Sequence, residues 1–294
     1  MKRGSLLEIS RSDQLQLMRP RLSLMVGLAA LSGYLAAPTP HSPYAALQLT
    51  GGAFLLTAAA SVFNQVQERS RDRWLPRTCD RPLPSGRCQP RPALQLATLL
   101  ALLGVLLLAP LSAAAAGVGL FALAWYNLLY TPLKPRTSYV LLLGALGGAL
   151  PPLLGWLVSD ASPLAPKAVH LYLLLILWQI PHFLCLSLRD DLRGQQLGLK
   201  TVPPSWSQPQ VMRMVRLWAI GLGALLLTAL PLPLLDSFSG SLGMGLLGIC
   251  CIGSALRRGS GQTPRHWAST TGKILHAVLA AALLTISIDP LIIF

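Results

Sequence analysis

The repeated apolar runs of this chain constrain its fold more than any other feature. A bilayer core about 30 Å thick requires roughly 20 apolar residues per helix, and runs of that length recur between short polar interruptions. Hydrophobic residues make up 53% of the chain and charged residues 12%, with a mean hydropathy of +0.55, which is unusual for a water-soluble domain. We expect an all-α integral membrane protein with nine transmembrane helices: 23–38, 44–63, 93–110, 113–131, 139–158, 168–188, 213–235, 238–256 and 272–292.

The distribution of Lys and Arg predicts the orientation, because these residues concentrate in cytoplasmic loops. With nine spans, Lys167 is alone on one side and the basic loops lie on the other. We therefore predict a cytoplasmic segment at 1–22, a single membrane domain at 23–294, and a site that faces the cytoplasm from the inner (cytoplasmic) membrane. A secretory signal ending near Ala37 is the alternative, but it would place the polar loops outside.

The net charge of +14 also requires an explanation, because basic proteins often bind nucleic acid. Here the basic residues are spread over five loops instead of forming one patch on a soluble module. We therefore predict a lipid bilayer around the chain and no nucleic-acid partner.

Three polar residues recur every fourth position where the second span reaches the basic loops. They form the motif Asn64-x-x-x-Glu68-x-x-x-Asp72. On a helix, residues four apart lie on nearly the same face, so the amide and the two carboxylates can converge. Carboxylate and amide oxygens are suited to Mg²⁺, which commonly joins protein carboxylates to substrate phosphates. The motif predicts a magnesium-diphosphate site, and a solvated helix end is the alternative.

An arginine-rich segment follows this motif. Guanidinium groups bind phosphate oxygens through paired hydrogen bonds, so Arg77, Arg81 and Arg87 are candidate diphosphate ligands. Prolines at 76, 82, 84 and 90 argue against one continuous helix through this segment. The glycines at 144, 147 and 148 are interpreted as helix-packing residues, since no strand precedes them as in a phosphate-binding loop.

The run from Asn64 to Arg87 closely resembles the first motif of heme O synthases, the protoheme farnesyltransferases of the UbiA prenyltransferase superfamily. Further resemblance lies in Tyr126–Lys134, in Gly148–Trp156 and in Trp178–Phe183. The resemblance implies a UbiA-type helix bundle that transfers a farnesyl group from farnesyl diphosphate, with Mg²⁺, to a vinyl group of protoheme (heme b). Water supplies a hydroxyl to the second vinyl carbon. Heme b is then a substrate and not a prosthetic group.

The resemblance also implies roles for further residues. In UbiA-type enzymes a second acidic cluster faces the first, and the candidates here are Asp190 and Asp191. Lys134 and Arg136 are candidate contacts of the diphosphate or a propionate. The remaining candidates for substrate contact are Tyr126, Tyr130 and Trp178, which would shield an allylic cation, and His182, Arg189 and Lys200, which lie near the expected acceptor site.

Two other functions stay open at this point. The segment 198–201, Gly-Leu-Lys-Thr, is more like the quinone-precursor branch of the superfamily, so an aromatic acceptor is the alternative within the same chemistry. A non-catalytic transporter or heme scaffold is the alternative of another class. A heme A synthase or a terminal oxidase is the expected downstream partner.

Overall fold

The protein, studied as a computed structural model, is a bundle of α-helices. The structure describes residues 9–189, 202–203, 205–232, 234–257 and 263–292, and these ranges contain no strand, which confirms the all-α prediction. The helices are α1 (Arg11–Met18), α2 (Pro20–Leu35), α3 (Pro43–Asp72), α4 (Pro90–Leu108), α5 (Ala113–Ala124), α6 (Thr131–Leu133), α7 (Val140–Gly148), α8 (Leu150–Trp156), α9 (Pro166–Arg189), α10 (Gln208–Leu227), α11 (Phe238–Leu256) and α12 (Pro264–Ile292). A π-helix, Trp125–Tyr130, joins α5 to α6, and a 3₁₀ turn, Leu157–Ser159, follows α8.

Eight helical stretches of the described chain are long and apolar enough to cross a membrane. They correspond to the second through ninth predicted spans, with the π-helix and α6 continuing α5, and with α7, α8 and the 3₁₀ turn forming one stretch. The first predicted span corresponds to α2, which has 16 residues. At about 1.5 Å per residue this helix is shorter than a bilayer core. The first predicted span, the total of nine and the cytoplasmic amino terminus therefore stay predictions.

Serine caps and prolines determine where several helices begin. The hydroxyls of Ser42 and Ser112 accept hydrogen bonds from backbone N–H groups in the first turns of α3 and α5. Such a cap satisfies an N–H group that has no partner within the helix. The chain around Pro110 therefore separates two spans instead of kinking one, as predicted.

Glycines permit the closest helix contacts. A side chain at Gly33 of α2 would overlap the backbone of Pro152, and one at Gly155 of α8 would overlap the backbone of Ala30. The predicted packing role of the glycines in α7 is also confirmed, although side chains and not backbones fill the space. Tyr130 packs against Gly144, Trp125 against Gly147 and Gln179 against Gly148.

The buried apolar residues divide between two halves of the bundle. One cluster joins α9 to α10, α11 and α12, with Leu174, Leu222 and Leu275 fully buried. The others join α2, α3, α4 and α5. An internal cavity is lined by residues of both halves.

The segment after α3 consists of turns, as its prolines predicted. The Thr78 hydroxyl donates a 2.9 Å hydrogen bond to the Asp72 carbonyl. This bond holds the turns against the end of α3, so the arginines of the segment stay close to the helix end.

Candidate active site

The polar motif of the second predicted span lies in the last three turns of α3. Asn64, Glu68 and Asp72 are buried, with exposures of 4%, 6% and 4%. The helix has 30 residues, or about 45 Å, which exceeds the thickness of a bilayer core. The apolar part of α3 can therefore cross the membrane while the motif lies at the polar boundary. Buried carboxylates at such a place require partners.

Each carboxylate of the motif has a basic partner from another segment. The Lys134 ammonium, just after α6, lies 3.3 Å from Glu68 Oε1. The Arg81 guanidinium, from the turns after α3, lies 2.7 Å from Asp72 Oδ2. Both cations are side chains on flexible stems, so they can exchange a carboxylate for a phosphate without a change of backbone. The arrangement holds two buried carboxylates and two mobile cations in one place.

The amide of the motif is oriented by a chain of hydrogen bonds. Asn64 Nδ2 donates to Thr131 Oγ1 at 3.0 Å, and the Thr131 hydroxyl donates to the Tyr126 carbonyl at 2.8 Å. That carbonyl belongs to the π-helix, whose wider turn leaves backbone acceptors for side chains. With its nitrogen bound in this way, Asn64 keeps its amide oxygen available as a ligand.

The other predicted basic ligands are placed differently. Arg87 is engaged away from the carboxylates, since its guanidinium pairs with Asp13 of α1 at 3.1 Å and also bonds Gln16 and the Asp80 carbonyl. The structure therefore brings Arg81 but not Arg87 to the motif, because α1 offers Arg87 a carboxylate of its own. Arg77, Arg136 and Arg189 are exposed. Asp190, Asp191 and Lys200 lie outside the described residues.

The internal cavity has a volume of about 510 Å³, which is in the usual range of ligand pockets. Its walls are mainly aliphatic and aromatic, from α2, α3, α5, α7, α8, α9 and α12. Ser61, one turn before Asn64 on α3, lines it. Of the predicted substrate contacts, Tyr126, Tyr130, Trp178 and His182 line it as well.

Aromatic rings are stacked along two walls of the cavity. The rings of Tyr126 and Tyr130 are stacked at 5.3 Å between centroids. Trp178 and His182 are stacked at 4.7 Å, and His276 of α12 meets the His182 ring edge-on at 4.7 Å. Trp178 and His182 are four residues apart on α9 and share one helical face, while His276 joins them only because α12 packs on α9. Such ring faces attract a cation held in an apolar space.

Arg19, between α1 and α2, lines the cavity and was predicted only as one of the basic-loop charges. Burial lowers the pKa of its guanidinium, and the nearby Arg81 and Arg77 lower it further. Within the described residues no acidic side chain forms an ion pair with it. Its backbone is left-handed, with φ of 49°, which is a costly conformation for a residue with a side chain. Asp72 is the nearby opposite charge but does not form an ion pair with Arg19, so this half-buried cation favours an anionic ligand.

The donor set of the motif fits one magnesium ion. Two carboxylates and an amide oxygen are hard ligands of the kind that Mg²⁺ binds. No group of three or more His, Cys, Asp or Glu side chains that could hold a metal occurs in the part of the chain that the structure describes. An ion at this motif would therefore need water or substrate oxygens to complete its coordination.

The sequence also matches those of known proteins. The sequence pattern of the UbiA prenyltransferase family matches residues 24–286. A protoheme IX farnesyltransferase of Geobacter sulfurreducens is 40% identical over 228 residues, which are 76% of this chain and 82% of the relative. One from Nitratidesulfovibrio vulgaris is 36% identical over 248 residues, 83% of this chain and 85% of the relative.

Solved structures have the same fold. A digeranylgeranylglyceryl phosphate synthase superposes with a TM-score of 0.78 at 16% identity, covering 95% of this chain and 98% of the other. A UbiA homolog from Archaeoglobus fulgidus bound to GPP and Mg²⁺ superposes with a TM-score of 0.66 at 17% identity, covering 94% and 99%. At these identities the likeness establishes the fold of the bundle.

Proposed function

This chain belongs to the UbiA prenyltransferase family, and from that premise we propose that it transfers the farnesyl group of farnesyl diphosphate to a vinyl group of protoheme, giving heme O. The observation that carries the proposal is the row of buried carboxylates on α3, with exchangeable basic partners, beside an apolar cavity of about 510 Å³. The names of relatives that are 36% and 40% identical favour the same donor and acceptor.

The diphosphate end of the donor binds at the end of α3. Asn64, Glu68 and Asp72 would hold a magnesium ion, which would supply positive charge to stabilise the departing diphosphate. Arg81 and Lys134, released from the two carboxylates, turn to the phosphate oxygens. Such fixed and mobile cations favour the transition state because charge grows on the leaving group there. Asp190 and Asp191 are the proposed ligands of a second ion.

The farnesyl chain occupies the apolar cavity. Because its walls are mainly apolar and keep bulk water away, the allylic cation survives long enough to meet the acceptor. The ring faces of Tyr126, Tyr130 and Trp178 stabilise that cation. The cavity thus separates the polar chemistry at the end of α3 from the carbon chemistry inside the bundle.

Protoheme approaches from the side of α9 and α12. His182, stacked on Trp178 at the cavity wall, faces the porphyrin or its iron. Arg19 at the cavity and the exposed Arg136 and Arg189 bind the propionates, and Lys200, outside the described residues, is a further candidate. The bundle lies in the inner membrane with this face toward the cytoplasm, and the product passes to a heme A synthase or a terminal oxidase.

A product assay tests the function. Purified protein in lipid vesicles is incubated with Mg²⁺, farnesyl diphosphate and either heme b or a hydroxybenzoate, and products are identified by mass. We expect a heme that has gained a farnesyl group and one water molecule, and no product when Mg²⁺ is chelated. Prenylation of only the aromatic compound would overturn the acceptor. No transfer to either compound would favour a transporter or scaffold.

The same assay determines which prenyl chain length the protein prefers. Geranyl and geranylgeranyl diphosphates compete with farnesyl diphosphate in equal amounts, and the product masses give the preference directly. We expect the farnesyl product to predominate. Equal use of all three chains would contradict a cavity selective for the farnesyl group.

A further inference from the structure

Two buried glutamines have opposite surroundings. Gln65, on α3, is 2% exposed, and its amide nitrogen donates to the backbone carbonyls of Leu17 and Ser61 at 2.7 and 3.3 Å. Gln179, on α9, is 6% exposed and lines the cavity. In the part of the chain that the structure describes, no group forms a hydrogen bond with the Gln179 amide. Gln65 is accounted for by packing, and Gln179 is not.

An unbonded amide in an apolar wall is costly. A buried polar group that lacks its partner loses the hydrogen bonds that it makes with water in the unfolded chain. A second such group lines the same cavity, since Ser61 Oγ is buried and has no hydrogen-bond partner in the described chain. The carbon skeleton of a prenyl chain offers neither group a hydrogen bond. A small polar molecule in the cavity would satisfy the Gln179 amide.

Both residues line the same cavity and lie at similar distances from the ends of their helices. Ser61 is eleven residues before the end of α3 at Asp72, and Gln179 is ten before the end of α9 at Arg189. At about 1.5 Å per residue these separations are roughly 16 and 15 Å. Ser61 is also one turn from Asn64, so this level adjoins the proposed diphosphate site, where the first carbon of the prenyl chain would lie.

The proposed reaction requires a water molecule at that level. We propose that Gln179 holds and orients the water whose oxygen becomes the hydroxyl group of the product. This inference rests on the proposed function, since an aromatic acceptor consumes no water. An amide suits the task because it both donates and accepts hydrogen bonds. It is also neutral, so it does not trap the allylic cation as a carboxylate would.

Farnesyl transfer begins at the diphosphate. The bond between the farnesyl carbon and the diphosphate oxygen breaks, and the diphosphate leaves with the electron pair. The vinyl electrons form a bond to the farnesyl carbon, which leaves a cation on the inner vinyl carbon. The water held by Gln179 bonds to that carbon, and its proton passes to the departed diphosphate. If water is absent, the same cation loses a neighbouring proton, and the farnesylated product lacks one water molecule.

The ratio of these two products tests the proposal. Gln179→Met keeps the volume of the side chain and removes the amide. Gly148→Ala keeps the amide and displaces it, because an added Cβ at Gly148 would overlap the Gln179 amide. The matched control is Gln65→Met, which removes a buried amide that does not line the cavity. All are assayed in vesicles with Mg²⁺, farnesyl diphosphate and heme b in ¹⁸O-labelled water.

In both Gln179→Met and Gly148→Ala we expect the ratio of dehydrated to hydroxylated product to rise about tenfold, which is the rate effect of one lost hydrogen bond. In Gln65→Met the ratio should stay at the wild-type value. An unchanged ratio in both cavity variants, with wild type forming labelled heme O, would overturn the role of Gln179 alone. If wild type forms no farnesylated heme, the proposed function fails and the role of Gln179 fails with it.

Discussion

Two sets of buried carboxylates in this protein are satisfied in different ways. Glu68 and Asp72 on α3 are paired with the side chains of Lys134 and Arg81. Asp289 on α12 is 1% exposed and accepts hydrogen bonds from the backbone N–H groups of Asp236 and Ser237 and from the Ser237 hydroxyl. Glu68 and Asp72 are held by flexible cations. Asp289 is held mainly by backbone groups at the start of α11.

The difference separates a binding site from a structural contact. Backbone N–H groups at a helix start are fixed and favour a negative charge, so Asp289 joins α12 to α11 permanently. A lysine or arginine can leave its carboxylate when a better anion arrives. Glu68 and Asp72 can therefore exchange their partners for a metal ion, and mutations at the two places should affect different measurements.

The largest effect is expected for Asp72→Asn. The substitution removes a charged ligand while it keeps the side-chain size, so turnover should fall by about 100-fold or more. The measurement is product formation with farnesyl diphosphate and heme b at saturating Mg²⁺. The thermal unfolding midpoint should change little. Wild-type turnover in this variant would contradict a catalytic role for the carboxylate.

Asp289→Asn tests whether Asp289 serves only as a structural contact. The loss of charged hydrogen bonds to the start of α11 should reduce stability by about 2 kcal/mol, which thermal unfolding in detergent measures. Turnover per folded molecule should match wild type at a temperature where the variant is folded. If turnover falls as in Asp72→Asn, the distinction between the two sites is wrong.

Arg81→Lys sharpens the role of the exchangeable cation. Lysine keeps the charge but loses the paired hydrogen bonds that a guanidinium gives to phosphate. We expect kcat and kcat/KM for farnesyl diphosphate to fall about tenfold, because the lost hydrogen bonds strengthen as charge grows on the leaving group. Arg87→Lys is the matched control, because Arg87 pairs with Asp13, and its kcat/KM should stay within about twofold of wild type. Equal losses in the two variants would assign both arginines to the diphosphate.

The smallest effect is expected for Thr131→Val, which removes the hydroxyl between Asn64 and the Tyr126 carbonyl. Asn64 remains but is no longer oriented, so turnover should fall about fivefold, in line with one neutral hydrogen bond. The apparent Mg²⁺ requirement should rise in the same variant. A Thr131→Ser variant retains the hydroxyl and should behave as wild type. Loss in both variants would place the effect in packing.

Much of the fold could be predicted from local sequence. The length of an apolar run predicts a membrane-spanning helix. Prolines and serine caps account for the separation of α4 from α5 and for the turns after α3. The grouping of Asn64, Glu68 and Asp72 follows from helical spacing alone. Local spacing does not predict which residues become partners across the bundle.

The remainder depended on tertiary packing. Arg87 was expected at the diphosphate, but α1 offers it Asp13. Arg19 and His276 lie outside the segments that carry the resemblance, and only the packing of the helices brings Arg19 to the cavity and His276 to His182. The positive charge that marked the basic loops did not distinguish Arg81, which meets Asp72, from the others. The cavity is lined by residues of both halves of the bundle.

The most direct test of the account is calorimetric binding of inorganic diphosphate in the presence and absence of Mg²⁺ to wild type, Asp72→Asn and Asp289→Asn. The account predicts magnesium-dependent binding to wild type and to Asp289→Asn with equal affinity, and binding to Asp72→Asn weaker by about 100-fold. Equal binding to all three proteins, or binding to wild type without Mg²⁺, would contradict the claim that the end of α3 holds a magnesium diphosphate.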